Sequence, residues 1–106
     1  MAEINEKDAE ILELLMVDLG KTENMPALQK KYLQSLIASA RTEIEREGVT
    51  IDDESTDDLL TVSMYAAYLY RKRAKDGDES KMPRYLRYRL NNRVLSEKAQ
   101  VFADAA

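Results

Sequence analysis

A chain of 106 residues with 44% apolar content holds one compact domain with a modest core, and its lack of cysteine excludes disulfides and thiolate metal sites. Histidine is absent too, which removes the commonest general base and transition-metal ligand, so no enzyme activity, no cofactor and no metal site are expected. The formal charge of -4 is unevenly placed, with 6 Lys/Arg against 15 Asp/Glu over residues 1–70 and 10 against 4 over residues 71–98. This predicts an acidic body and a basic end, able to meet copies of itself head to tail or an acidic surface elsewhere, and not a broadly basic protein that attracts nucleic acid.

The opening MAEINEKDAE lacks the basic start and apolar core of a secretory signal, and no run approaches the roughly 20 apolar residues that span a bilayer. Synthesis in a cytoplasm and no membrane contact are expected. A first helix is predicted over about Asp8–Leu19, with Ile11, Leu12, Leu15, Met16 and Leu19 on one face and Gly20 as its stop. Pro26 suits the first turn of a second helix, where its missing N–H costs nothing. That helix runs to Glu47, with Leu28, Tyr32, Leu33, Leu36, Ile37, Ala40 and Ile44 covering about half its circumference.

Gly48 reads as a left-handed cap, followed by a connection that tucks Val49 and Ile51 into the core and is too short for an expected strand. A third helix is predicted from Ser55 or Thr56, where a hydroxyl cap precedes carboxylates in the first turn. Its segment LLTVSMYAAYLY is apolar nearly all round, with small Ser63, Ala66 and Ala67, and marks the central helix. Arg71, Lys72, Arg73 and Lys75 supply the positive charge suited to its C-terminal end, and Asp76-Gly77-Asp78 breaks it. After a polar loop over residues 76–82, Pro83 opens a fourth helix whose apolar stripe, Leu86, Leu90 and Val94, is narrow. The fold expected is an all-α bundle of about four helices, one domain over residues 1–98, with a projecting basic C-terminal helix and a flexible tail over 99–106 that frays without a partner.

Asp52, Asp53, Glu54, Asp57 and Asp58 lack the alternation and sixth-position glycine of a calcium loop, so helix capping accounts for them better. No glycine-rich phosphate loop, zinc spacing or nucleophile elbow occurs. Five of the six tyrosines lie between Tyr65 and Tyr88, interleaved with arginines, a composition typical of contact hot spots and also able to stack on single-stranded bases. Tyr65, Tyr68 and Tyr70 are expected in the core with their hydroxyls at its edge. Tyr85 and Tyr88, beside Arg84, Arg87 and Arg89, are expected at an interface. Function is therefore expected in surfaces.

LYRKR (Leu69–Arg73) closing a helix rich in small residues, an acidic glycine loop, and then MPRYLRYRLNNRVLSEK (Met82–Lys98) resembles the head-tail connector (adaptor, or head-completion) proteins of tailed bacteriophages. In plan the resemblance covers residues 7–98, and its distinctive part is the Met82-Pro83 entry with Leu86, Arg87, Leu90, Asn91, Asn92 and Arg93. It implies a structural subunit, assembled as a homo-oligomeric ring beneath the portal protein after DNA packaging, to which stopper or tail-completion proteins attach. The implied place is the virion head-tail junction, reached from the host cytoplasm. Carried onto this chain, Arg84, Arg87, Arg89 and Arg93 are the expected charged contacts and Tyr85 and Tyr88 the anchors. Arg71, Lys72 and Arg73 are candidate contacts to DNA passing through the lumen, held weakly and without sequence specificity. A competing expectation is a small helical DNA-binding regulator that inserts the fourth helix in the major groove and sets Arg71, Lys72 and Arg73 on phosphates.

Overall fold

The computed structural model describes residues 6–22, 24–74 and 81–105. Among the described residues there are four helices, α1 (Glu6–Asp18), α2 (Ala27–Arg46), α3 (Thr56–Ala74) and α4 (Arg84–Ala105), and no strand. The expected break at Asp76-Gly77-Asp78 lies outside them.

The helix ends follow local chemistry. Gly20, at a φ of 70°, donates to Val17 O at 3.1 Å while Lys21 donates to Met16 O at 2.8 Å, so the left-handed glycine closes the last turn of α1. Gly48 has a φ of 101° and stops α2 in the same way, its N–H reaching Glu45 O at 3.0 Å. Pro26 and Pro83 sit one residue ahead of the helices they open, their carbonyls accepting from Gln29 and Lys30 and from Leu86 and Arg87. Ser55 caps α3 by accepting the Asp58 N–H on Oγ at 3.2 Å.

Helix α3 is the central element. Leu59, Val62, Tyr65, Ala66 and Ala67 belong to the core, and Thr61 and Ser63 are buried as well, their hydroxyls donating to Asp57 O and Leu60 O one turn back. Around it lie Ile11 and Leu15 of α1, Leu33, Leu36, Ile37, Ala40 and Ile44 of α2, and Leu86 and Leu90 of α4, all nearly inaccessible. Val49 is buried in the connection after α2 and Ile51 packs against the core, as their spacing predicted. Leu28 departs from expectation, being 81% exposed. At about 100° per residue it lies about 140° from Leu33, off the face that α1 and α3 cover, and Met25 from the preceding connection fills that end of the core instead.

The fourth helix is longer than predicted. It continues through the stretch expected to fray and ends at Ala105, because Glu97, Lys98, Ala99, Gln100 and Ala103 are good helix formers and Gln100 donates to Asp104 one turn on. Its first half packs on the body through Leu86, Leu90 and half-buried Val94, whereas Leu95, Val101 and Phe102 are exposed. At 22 residues α4 is about 33 Å long.

Because Leu90 is 0% exposed, Leu90→Ala should remove a core contact and cost about 2 to 5 kcal/mol, read as a lower urea midpoint. Val101→Ala, on the same helix but 64% exposed, should leave the midpoint within about 0.5 kcal/mol of the parent.

Candidate assembly interface

The basic fourth helix meets the acidic body within one chain. Arg87 donates from Nη1 to Glu47 Oε1 at 2.7 Å at the end of α2. Two residues on, Arg89 reaches the start of α3, donating from Nε to Thr61 Oγ1 at 3.0 Å and from Nη2 to the Asp57 carbonyl at 3.1 Å and its carboxylate. One turn further, Arg93 grips Asp58 with two hydrogen bonds, Nε to Oδ1 at 2.8 Å and Nη2 to Oδ2 at 3.0 Å. Its Nη2 also donates to Thr50 O at 2.8 Å and faces Glu97, which in turn accepts the Thr50 N–H.

This two-pronged geometry matches a planar guanidinium to a carboxylate and is the strongest form such a pair takes. Asp58 is 4% exposed and also accepts the Asp52 N–H at 2.9 Å, so its charge is compensated on both oxygens. The hydrogen bonds to Asp58 raise the Arg93 pKa above its ordinary value against the opposing effect of burial, with the charges of Asp58 and Glu97 adding to the rise. A second clamp ties α1 to α2 and to the connection before α3, where Arg41 donates to Asp8 at 3.0 Å and to Asp53 at 2.9 Å.

Arg87, Arg89 and Arg93 are the arginines of this set expected to face a partner. Their guanidinium groups are engaged inside the chain, because α4 lies against the acidic end of α2 and the acidic start of α3. The carboxylates read as helix caps do more than cap, with Asp57, Asp58 and Asp53 receiving arginines 32, 35 and 12 residues away in sequence. No group of residues suited to hold a metal occurs among the described residues.

Arg84, Tyr85 and Tyr88 are the expected interface residues that remain outward. Tyr85 is 52% and Tyr88 61% exposed, and Arg84 makes no ion pair with another described residue. Tyr85 borders a groove of about 320 Å³ whose other walls are Leu14, Val17, Asp18, Leu60, Ser63 and Met64. Arg71, Lys72 and Arg73 lie exposed at the opposite end of α3, separated from the Arg89 and Arg93 contacts by roughly 20 Å of helix. There Arg71 donates to Asp18 at 3.3 Å, while Lys72 and Arg73 stand over the Tyr68 and Tyr32 rings at 5.8 and 5.9 Å. The basic residues thus form two separate patches.

Tyr65 lies in the core as expected, edge-on to half-buried Tyr68, and Tyr70 is tilted against Tyr32. Sequence reasoning missed Arg41, Glu47 and Thr61. The available signal was the excess of carboxylates in the first turn of α3 over what one helix end needs, matched by arginines four apart at 89 and 93. No helix among the described residues is long and apolar enough to cross a membrane. In comparisons with family models, curated proteins and solved structures, the chain matches none of them.

Arg93→Ala should strand the buried Asp58 charge and destabilise the protein by about 3 kcal/mol, whereas Arg87→Ala, at a half-exposed pair, should cost about 1 kcal/mol or less. Equal urea midpoints for the two variants would contradict this ranking. Alkaline pH offers an independent check. Burial raises the Tyr65 phenol above its ordinary 10.0, helped by the negative charges of Glu47 and Glu43. The folded state then keeps a proton that the unfolded chain releases, so this contribution is full below about pH 10 and is lost as pH rises through the folded value. Between about pH 9 and about pH 11, Tyr65→Phe should lose less stability than the parent, and parallel profiles would exclude the effect.

Proposed function

We propose that this protein is a structural subunit of a tailed-phage head-tail connector. In this reading it assembles as a ring beneath the portal protein, joins the DNA-filled head to stopper or tail-completion proteins, and carries out no catalysis. It is made in the host cytoplasm and ends at the head-tail junction of the virion. The observation that carries the reading is the division of α4 into two sides. Its inner side, within the Met82–Lys98 stretch that bears the family resemblance, is fixed to the body by Leu86, Leu90, Arg89 and Arg93. Its outer side presents Arg84, Tyr85 and Tyr88 on a rigid helix, and the helix continues outward for three further turns. Tyrosine and arginine on a preorganised helix are the residues from which protein contacts draw most of their energy. A ring needs such a contact to be heterologous, one flank of each copy against a different flank of the next.

The exposed group Arg71, Lys72 and Arg73 suits a lumen wall that passes DNA without gripping it. Reading α4 as a major-groove helix is less well supported, because three of its four arginines would have to leave carboxylates on their own chain before reaching bases.

DNA-filled heads purified without this subunit, from the phage that encodes it, provide the test. The parent protein should bind them and permit tail attachment. Arg84→Glu combined with Tyr88→Ala should reduce binding at least about tenfold with helicity and melting unchanged, since both side chains are exposed. Full incorporation of that variant, or failure of the parent to bind heads, would reject the reading.

A further inference from the structure

Two exposed helix faces of this chain carry the same residue spacing and opposite charge. On α4, Asn91, Leu95, Lys98 and Phe102 follow one another at intervals of 4, 3 and 4 and are all exposed, Leu95 at 63% and Phe102 at 77%. On α1, Glu6, Glu10, Glu13 and Val17 follow at the same intervals and are also all exposed, Val17 at 80%. None of these charged groups forms an ion pair with another described residue. Intervals of 3 and 4 place residues in one row along a helix, the row that a neighbouring helix meets in left-handed packing. The α1 row also sets like charges one turn apart, a repulsion that an opposing cation relieves.

We infer that the outer face of distal α4 docks on the outer face of α1 in a second copy of this chain. The two helices run parallel, with Phe102 on Val17 and Lys98 on Glu13. Register follows from matching the rows. Setting Phe102 beside Val17 in the parallel sense brings Lys98 to Glu13 and Leu95 to Glu10, whose methylene stem can cover an apolar neighbour. In the antiparallel sense, pairing Leu95 with Val17 leaves Phe102 on Glu10 and Lys98 without a carboxylate in the row. The groove beside Val17, which Asp18 and Ser63 also line, offers the Phe102 ring apolar surface from Leu14, Leu60 and Met64.

Each row spans 12 residues, about 16 Å from its first to its last Cα, so one contact buries less than a stable dimer requires. A single pair is therefore weak and salt-sensitive, and closure of a ring multiplies it through effective concentration. The contact is heterologous, since distal α4 of one copy is used against α1 of the next while its own α1 stays free for a third. It gives the proposed connector ring its subunit contact and rests on that reading only for ring closure.

The chain contains no cysteine, which makes cross-linking a clean probe. Single-cysteine variants Val17→Cys, Phe102→Cys and Leu28→Cys would be mixed in pairs under mild oxidation at low salt, Leu28 being an 81% exposed control on α2. The 17/102 disulfide should form roughly tenfold faster than 28/102, 17/17 or 102/102, equivalent to about 1.4 kcal/mol of preference. Added salt, or Glu13→Lys in the Val17→Cys chain, should abolish the preference. A dominant 102/102 product would mean that the α4 face pairs with itself, and equal rates for 17/102 and 28/102 would mean that it belongs to another kind of partner. Either result overturns the inference. Selective cross-linking by a protein that fails to enter heads would keep the contact and reject the connector role, and incorporation without selective cross-linking would do the reverse.

Discussion

The pair between Arg93 and Asp58 is the constraint on which the arrangement of this molecule depends. A carboxylate that is 4% exposed is costly to bury alone, and here it accepts two hydrogen bonds from one guanidinium and a third from the Asp52 N–H. Because Arg93 also donates to Thr50 O, one side chain joins the start of α3, the connection before it and the middle of α4. Leu86 and Leu90 supply apolar burial on the same side of α4, and together these contacts fix the direction in which its distal half leaves the body.

Internal pairing changes what the charge asymmetry of the chain means. Much of the basic excess over residues 71–98 is answered within the chain, by Glu47, Asp57, Asp58 and Asp18. What remains for another molecule is smaller and better defined: Arg84, Tyr85 and Tyr88 on the outer side of α4, the basic end of α3, a cationic and apolar row on distal α4 and an acidic row on α1. Within α4 the anchored half and the half that exposes Leu95, Val101 and Phe102 are thus distinct.

Much of the architecture was legible because it rests on local chemistry. Gly20 and Gly48 mark helix ends through a backbone conformation that other residues resist, Ser55 offers a hydroxyl to an open helix terminus, and Leu86, Leu90 and Val94 recur at the helical period. Leu28 misled because apolar character does not say which face a neighbour covers. The charged contacts were legible only as an imbalance. The sign of Arg89 and Arg93 is plain in the sequence, but whether they meet Asp57 and Asp58 or a carboxylate of another molecule is decided by how α4 crosses α3, a tertiary relation between residues more than 30 apart. Helicity beyond Lys98 was underestimated for a related reason, because lack of burial was weighed more heavily than the strong helix propensity of residues 97–105.

Amide hydrogen exchange resolved along α4 tests this account most directly, because it measures separately how firmly each half of the helix is held. Residues 87–94 should exchange only through global unfolding, at the same free energy as the α3 amides around Val62 and Ala66, while residues 99–105 should exchange through local opening at much lower free energy. Fast, uniform exchange along all of α4, with α3 still protected, would show that the Arg93–Asp58 anchor does not hold the helix to the body and would contradict the account.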